Sequence, residues 1–202
     1  MKKKKLRKGR VVLLILSLLV VLSATGYYYL IYTSNNIEEY IVEGLNIDHQ
    51  FLTVNPYSRS GKDLRRVKGI VVHYVANPGS SAQNNRDYFE SLKTKHTAYV
   101  SSHFVIGLKG EIIQCIPLNE IAYASNNRNK DTISIECCHP DESGQFNNKT
   151  YKALQDLVSA LMKTYHLSQD DVIRHYDVTG KICPKYFVDH EDAWETFKNS
   201  LN

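Results

Sequence analysis

Runs of apolar residues alternate with polar turns from about residue 68 onward, and this pattern predicts the secondary structure. Lys68–Val75 and Thr132–Cys138 are rich in β-branched residues, which is typical of buried strands. Ser102–Leu108 and Glu111–Ile116 have the same character, and Lys109-Gly110 between them predicts a tight hairpin. The pattern therefore predicts several strands of one sheet.

Helical periodicity is clearest in Tyr151–Tyr165, where apolar residues recur at intervals of three and four and form one stripe. We also predict a short helix over Asn84–Lys93, a short strand over Asp171–His175 and a closing helix over Ala193–Leu201. Strands interspersed with helices predict an α/β fold, a single domain with a mixed central β-sheet flanked by helices.

The N-terminal part of the chain has a different pattern. No charged residue occurs within Val11–Tyr32, and as a helix this segment would be about 33 Å long, enough to cross a bilayer core of about 30 Å. We predict a basic cytoplasmic segment (1–10), a transmembrane helix (11–32), a stalk and lead-in (33–67) and the folded domain (68–202). A cleaved signal peptide is the alternative, because Ser23–Gly26 offers small residues. Both alternatives place the domain outside the cytoplasm, either anchored by a single membrane pass or secreted.

Charge is distributed unevenly along the chain. Seven of the 25 basic residues lie in Met1–Arg10, which leaves 18 basic residues against 21 acidic ones in the remainder. A nucleic-acid-binding protein concentrates positive charge on its domain, so this distribution argues against a nucleic-acid partner. No sequence feature indicates an oligomer interface, and we expect a monomer.

Three residues could together bind a metal ion. His73 and His175 each end a predicted strand, and Cys183 follows His175 after a loop long enough to fold back. Imidazole and thiolate are zinc ligands, and three protein ligands leave the fourth tetrahedral position open, as catalysis requires. The alternative for each residue alone is a histidine or cysteine with a purely structural role.

Four ordered blocks of sequence, Gly69–Tyr74, Ser101–Gly110, Ile133–Glu136 and Arg174–Pro184, resemble a known family. They are similar to the zinc-dependent N-acetylmuramoyl-L-alanine amidases of type 2, which are related to peptidoglycan recognition proteins and amidase-type phage lysozymes. The resemblance covers residues from about 68 to 197. It implies cleavage of the amide bond between the lactyl group of muramic acid and L-Ala of the peptidoglycan stem peptide.

The same resemblance implies a role for individual residues. His73, His175 and Cys183 would bind one zinc ion. Glu136 would act as general base, and Lys181 would stabilise the oxyanion. Some relatives have a catalytic tyrosine where this chain has Ser102, which favours Glu136 as the base.

A loop before the Glu136 strand would lie along the substrate groove. It contains Asn126, Asn127 and Arg128, and Arg128 could bind a stem-peptide carboxylate; a solvated loop without such a role is the alternative. We expect His103 to be structural. Three further cysteines, namely Cys115, Cys137 and Cys138, are expected to be mostly free and buried.

The leading hypothesis is a murein amidase anchored in the bacterial cell membrane that remodels or turns over the cell wall. A non-catalytic peptidoglycan-binding module of the same fold is the alternative, although such relatives usually lack the cysteine ligand that Cys183 would provide. A structural or interaction domain without a metal is a third and weaker hypothesis.

Overall fold

The computed structural model describes residues 8–42 and 45–201, and the chain divides between Glu39 and Tyr40 into two units. The helices are α1 (Lys8–Val42), α2 (Ala82–Lys95), α3 (Asn148–Tyr165), α4 (His175–Thr179), α5 (Lys185–Asp189) and α6 (Glu191–Asn199). The strands are β1 (Ile47–His49), β2 (Ile70–Tyr74), β3 (Phe104–Ile106), β4 (Ile112–Gln114), β5 (Ile133–Cys137) and β6 (Val172–Arg174). Two short 3-10 helices span Asn126–Arg128 and Gln169–Asp171.

The six strands form one mixed sheet in the order β1-β4-β3-β5-β2-β6. All neighbouring pairs are parallel except β3 and β4, which are antiparallel. Gly110, with φ of 83°, lies in the turn between them and donates its N–H to the carbonyl of Gly107. The predicted α/β fold, its mixed sheet and the hairpin are therefore confirmed.

The edge strand β1 lies within the segment that the sequence pattern assigned to a stalk and lead-in. Ile47 pairs in register with Ile112 of β4, and the N–H of Leu52 donates to the carbonyl of Cys115 at 2.9 Å. Leu52 and Leu64 are also buried in the core. The sheet thus includes residues well before Lys68.

Helix α2 packs against the β3–β4 part of the sheet. Ser81 caps its N-terminus in a capping box with Asn84, which satisfies backbone N–H groups that the first turn leaves open. Phe89 of the helix belongs to the same buried cluster as Val105 of β3 and Ile113 of β4. Burial of this apolar face stabilises the edge of the sheet that lies away from the candidate ligands.

Helix α3 confirms the predicted apolar stripe. Its buried residues include Leu154, Leu157, Val158, Leu161 and Met162. The side chain of Asn147 caps the N-terminus by accepting from two backbone N–H groups. The hydroxyl of Thr150 donates to the carbonyl of Gly107 at 2.9 Å and ties the helix to the end of β3.

Arg174 fixes the region that follows β6. Its buried guanidinium donates to Asp177 at 2.9 Å and to Glu191 at 2.6 Å, and it lies 5.3 Å from the centroid of the Trp194 ring. These contacts connect β6, α4 and α6. Because His175 is the next residue, they also hold the start of α4 in place.

The predicted transmembrane helix over residues 11–32 is not supported. This stretch is helical within α1, but no helix within residues 8–42 and 45–201 combines the length and the apolarity needed to cross a membrane. The prediction counted residues without charge. The uncharged residues after Leu22 include Ser23 and Thr25, which are polar and not aliphatic. Their hydroxyls bond to backbone carbonyls one turn earlier. The basic segment 1–10 lies mostly outside the described residues.

Candidate metal centre and active site

The three candidate ligands converge at one edge of the sheet. His73 lies near the carboxyl end of β2, and His175 begins α4 directly after the neighbouring parallel strand β6. Parallel strands place their carboxyl ends at the same edge, which brings the two imidazoles together. Cys183 returns to them because the N–H of Tyr176 donates to its carbonyl at 2.9 Å.

The donor atoms of these residues have the spacing of a metal site. Within the described part of the chain they form one group in which all ligand atoms lie within 4.8 Å of one another, and all three residues are buried. The Sγ atom of Cys183 is 3.8 Å from Nδ1 of His73. Two imidazoles and one thiolate form a donor set that suits a borderline divalent cation such as zinc and leaves one position open.

One ring nitrogen of each histidine contacts a side chain from the turn that contains Ser125 and Asn126. Nε2 of His73 lies 3.1 Å from Oγ of Ser125, and Nε2 of His175 lies 3.1 Å from Oδ1 of Asn126. Burial lowers the pKa of His73 well below its usual value, and the neighbouring His175 and Lys181 lower it further. Burial and Lys181 likewise lower the pKa of His175. Both rings are therefore neutral near pH 7, as metal ligation requires.

The thiol of Cys183 is held in its protonated form by its surroundings. Burial raises its pKa to about 12, and the carboxyl group of Glu136 contributes to the rise. A backbone hydrogen bond from Tyr74 and the charge of Lys181 act in the opposite direction. A bound cation would deprotonate such a thiol, because the metal stabilises the thiolate directly.

Glu136 lies beside the ligands on β5. It is in register with His73 on β2, and its Oε1 is 4.0 Å from Nδ1 of that histidine. Its side chain is 14% exposed, and Oε2 is enclosed with no hydrogen-bond partner among the described residues. Burial raises its pKa to about 8, while Lys181 lowers it. A carboxyl group without a partner in a strand is costly unless it serves a ligand or a reaction.

Lys181 is exposed in the loop between α4 and Cys183. Its charge lowers the pKa of His73, of His175 and of Glu136, so all three groups experience its field. The loop therefore supplies both a potential ligand and a cation to the same site.

A comparison with known protein families identifies the family of this chain. The family model described as N-acetylmuramoyl-L-alanine amidase matches residues 63–186, more than half of the chain. The chain belongs to this amidase family. The resemblance noted in the four sequence blocks is confirmed.

Two of the similar amidases come from species of Bacillus. The chain is 38% identical over 168 residues to the N-acetylmuramoyl-L-alanine amidase CwlL of Bacillus licheniformis, covering 75% of this chain and 45% of that protein. It is 34% identical over 174 residues to the amidase BlyA of Bacillus subtilis, covering 76% of this chain and 46% of that protein. The chain thus spans about half the length of the curated amidases it matches.

Solved structures of similar proteins agree with the fold. The catalytic domain of XlyA aligns with a TM-score of 0.66 at 28% identity, covering 78% of this chain and all of that domain. PlyL aligns with a TM-score of 0.63 at 26% identity, covering 78% of this chain and 98% of that structure. The match to a complete catalytic domain places the amidase fold in the sheet-containing part of this chain.

The loop predicted to line the substrate groove divides into two parts. Asn126 bonds to His175, whereas Asn127 is exposed and Arg128 pairs with Asp131 at 2.8 Å. Sequence reasoning missed Ser125, the residue that bonds to His73. The available signal in the sequence was the position of Ser125 directly before Asn126, because asparagine tolerates left-handed backbone geometry.

His103 and the three remaining cysteines lie apart from the group of candidate ligands. His103 is buried, with Nδ1 bonded to Ser134 and Nε2 2.9 Å from the carbonyl of Glu120. Burial lowers its pKa to about 4. The three remaining cysteines, Cys115, Cys137 and Cys138, are free and buried, as predicted.

Proposed function

We propose that this chain hydrolyses the amide bond between the lactyl group of N-acetylmuramic acid and L-Ala of the peptidoglycan stem peptide. The supporting observation is the convergence of His73, His175 and Cys183 beside Glu136 in a chain of the amidase family. Because the chain spans about half of its curated relatives, the activity is proposed from this site and from family membership together.

The donor set supports zinc as the cofactor. His73, His175 and Cys183 would hold one ion, and the enclosed Oε2 of Glu136 lies unpaired beside them. When bound, zinc supplies Lewis acidity that polarises the scissile carbonyl and lowers the pKa of water.

The surrounding side chains supply the proton transfer and the charge stabilisation. Glu136, as a carboxylate, would accept a proton from the attacking water and transfer it to the nitrogen of the departing L-Ala. Bound cation would shift its pKa downward from about 8 and so favour the carboxylate. The ammonium group of Lys181 would face the negative charge that develops on the carbonyl oxygen.

Substrate contacts are proposed for the exposed part of the loop before β5. Asn127 is exposed, and Arg128, although paired with Asp131, keeps 30% of its side-chain surface accessible. A guanidinium can bind a stem-peptide carboxylate in a bidentate manner while retaining a second contact. Asn126 is less suited to this role, because its side-chain oxygen bonds to His175.

A non-catalytic peptidoglycan-binding role is not favoured. Such a role needs neither a cysteine ligand nor a buried carboxylate beside it, and this chain has both Cys183 and Glu136 at one site.

We further propose that the domain acts outside the cytoplasmic membrane in cell-wall remodelling or turnover. The support is chemical, since peptidoglycan lies there, and the basic segment followed by an apolar run has the composition of an export signal. Fractionation of cells that carry the full chain, followed by immunoblotting, tests this: recovery only from the cytoplasm would contradict it. The monomeric state stays a prediction.

The reaction is tested with the zinc-loaded full chain and purified peptidoglycan. We expect mass spectrometry to identify released stem peptides with a free N-terminal L-Ala. The variant Glu136→Gln should retain zinc but turn over about 100- to 10,000-fold more slowly, the range attributed to general acid–base catalysis. Zinc-loaded protein that binds peptidoglycan and leaves this amide intact would refute the proposal.

A further inference from the structure

Adjacent residues of one turn contact both candidate histidine ligands. Ser125 bonds to Nε2 of His73 and Asn126 bonds to Nε2 of His175, each at 3.1 Å. The two ring centroids are 4.7 Å apart. A single dipeptide therefore contacts the outer nitrogen of each ring, while His73 lies on β2 and His175 at the start of α4.

These contacts determine which nitrogen of each ring remains free. A neutral imidazole carries one N–H, and the amide oxygen of Asn126 can only accept, so Nε2 of His175 is the donor. Nε2 of His73 donates to the serine hydroxyl in the same sense, because its Nδ1 faces Cys183 at 3.8 Å and Glu136 at 4.0 Å. In both rings Nδ1 is then the unprotonated nitrogen, and in His73 its lone pair faces the Sγ atom of Cys183. A hydrogen bond to the distant nitrogen is how proteins fix the tautomer and orientation of a metal-binding histidine.

The turn is itself held in a defined conformation. Asn126 has φ of 52°, in the left-handed region that asparagine tolerates better than most residues. The side-chain oxygen of Asn129 accepts from the backbone N–H groups of Ala124 and Ser125, and the hydroxyl of Thr132 donates to the carbonyl of Arg128. The turn is thus fastened to the start of β5, the strand that carries the candidate base.

We propose that Ser125 and Asn126 are positioning residues that orient His73 and His175 for metal binding. This inference rests on the proposed function, because it takes the two histidines as zinc ligands. Ser125 is fully buried whereas Asn126 is exposed, so water competes with the second hydrogen bond and not with the first. Ser125 therefore has the larger effect of the two.

The first test measures the zinc dissociation constant of the full chain by competition with a chromophoric chelator, without any peptidoglycan. We expect Ser125→Ala to weaken zinc binding about 10- to 100-fold, as removal of such partners does in other metal sites. Ser125→Thr keeps the hydroxyl and should restore most of the affinity. Ser102→Ala is the matched control, because Ser102 is a buried serine whose hydroxyl bonds to the carbonyl of Phe104 and not to a ligand.

Asn126 requires variants that separate its side chain from its backbone. Asn126→Gly accepts the positive φ and removes the amide, so a weakening of several-fold is expected from the lost hydrogen bond alone. Asn126→Asp keeps the accepting oxygen and should bind zinc at least as well as the natural chain.

Cobalt(II) provides a second measurement that a purely structural role would not change. The visible absorption of bound cobalt depends on ligand geometry, so we expect its bands to shift or lose intensity in Ser125→Ala and to match the natural chain in Ser102→Ala. An unchanged affinity and spectrum in Ser125→Ala would overturn the proposal, and so would an equal loss in Ser125→Thr or Ser102→Ala. Zinc binding without hydrolysis would refute only the proposed function, since the affinities still decide the positioning role.

Discussion

Two buried histidine environments in this domain differ in the groups that their ring nitrogens contact. Both nitrogens of His103 are bonded, one to Ser134 and the other to the carbonyl of Glu120. His73 and His175 each have Nε2 bonded to a neighbouring side chain, and Nδ1 of His73 faces Cys183, another candidate ligand, at 3.8 Å. His103 is thus bonded through both nitrogens to groups outside the site, whereas His73 and His175 lie with Cys183 in a group of donors that could hold a metal ion.

The cysteines show the same contrast. Cys115 lies in an apolar cluster with residues such as Phe89 and Val105, where its pKa is raised to about 12 by burial. Cys183 has an equally raised pKa, but its sulfur faces His73 and Glu136. Burial alone therefore does not distinguish a ligand cysteine from a core cysteine; the neighbouring groups do.

Replacement of a ligand should have the largest effect. Cys183→Ser is expected to weaken zinc binding about 100- to 1,000-fold, because the roughly 10–16 kcal/mol of a four-ligand site corresponds to about 2.5–4 kcal/mol per ligand. Isothermal titration with zinc measures this. Cys137→Ser is the matched control on β5. An equal loss of zinc affinity in both variants would contradict the distinction between ligand and core cysteines.

Acidification should lower the free energy of unfolding through His103, whose two ring nitrogens are both bonded. The pKa of His103 is lowered to about 4 in the folded protein, against about 6.5 in an unfolded chain. Between these values the unfolded chain binds a proton that the folded protein excludes, so the free energy of unfolding falls as pH drops from 6.5 to 4. The contribution is at most about 3.5 kcal/mol, at about 1.4 kcal/mol per pKa unit. Urea unfolding of the zinc-free protein across this range checks the slope.

The variant His103→Gln isolates that contribution. We expect it to cost about 2 kcal/mol of stability at pH 7, since Ser134 and the carbonyl of Glu120 lose their buried partner. Its acid-dependent loss between pH 6.5 and 4 should be smaller than in the natural chain, and its zinc affinity should be unchanged. A loss of zinc affinity would mean that His103 contributes to the metal site after all.

Cys115→Ala should have the smallest effect. The change removes one sulfur atom from an apolar cluster, and we expect a loss of about 1 kcal/mol, comparable to the removal of one methyl group. Thermal unfolding measures the stability, and zinc stoichiometry should stay at that of the natural chain. A larger loss of stability together with lost zinc would contradict the separation between core and site.

Elements with a strong local pattern could be predicted from the sequence. The runs around β2 and β5 are rich in β-branched residues, and the stripe of α3 has helical spacing over its full length. Strand β1 has only three residues, with an acidic and a basic group among them, and it exists because it pairs with β4. The short helix α4 depends on Arg174 and its distant partner Glu191. Such pairings are set by tertiary contacts that local patterns do not encode.

The candidate site was partly predictable for a related reason. Histidines at strand ends indicated where His73 and His175 would meet, and the spacing to Cys183 allowed a returning loop. The orientation of each ring could not be predicted, because it depends on Ser125 and Asn126, which lie about 50 residues away from either histidine in sequence. The family resemblance predicted that the loop with Asn126 lines the substrate groove, whereas the side-chain oxygen of Asn126 contacts His175.

The pairing of β1 with β4 has a practical consequence for any attempt to isolate the amidase domain. Strand β4 is bonded to β3 on one side and to β1 on the other. A fragment that begins at Lys68 would uncover the N–H and carbonyl groups of Ile112–Gln114 and remove Leu52 and Leu64 from the core. An uncovered apolar edge of this kind recruits strands from other molecules. The shortest fragment that stays in solution should therefore begin before Ile47.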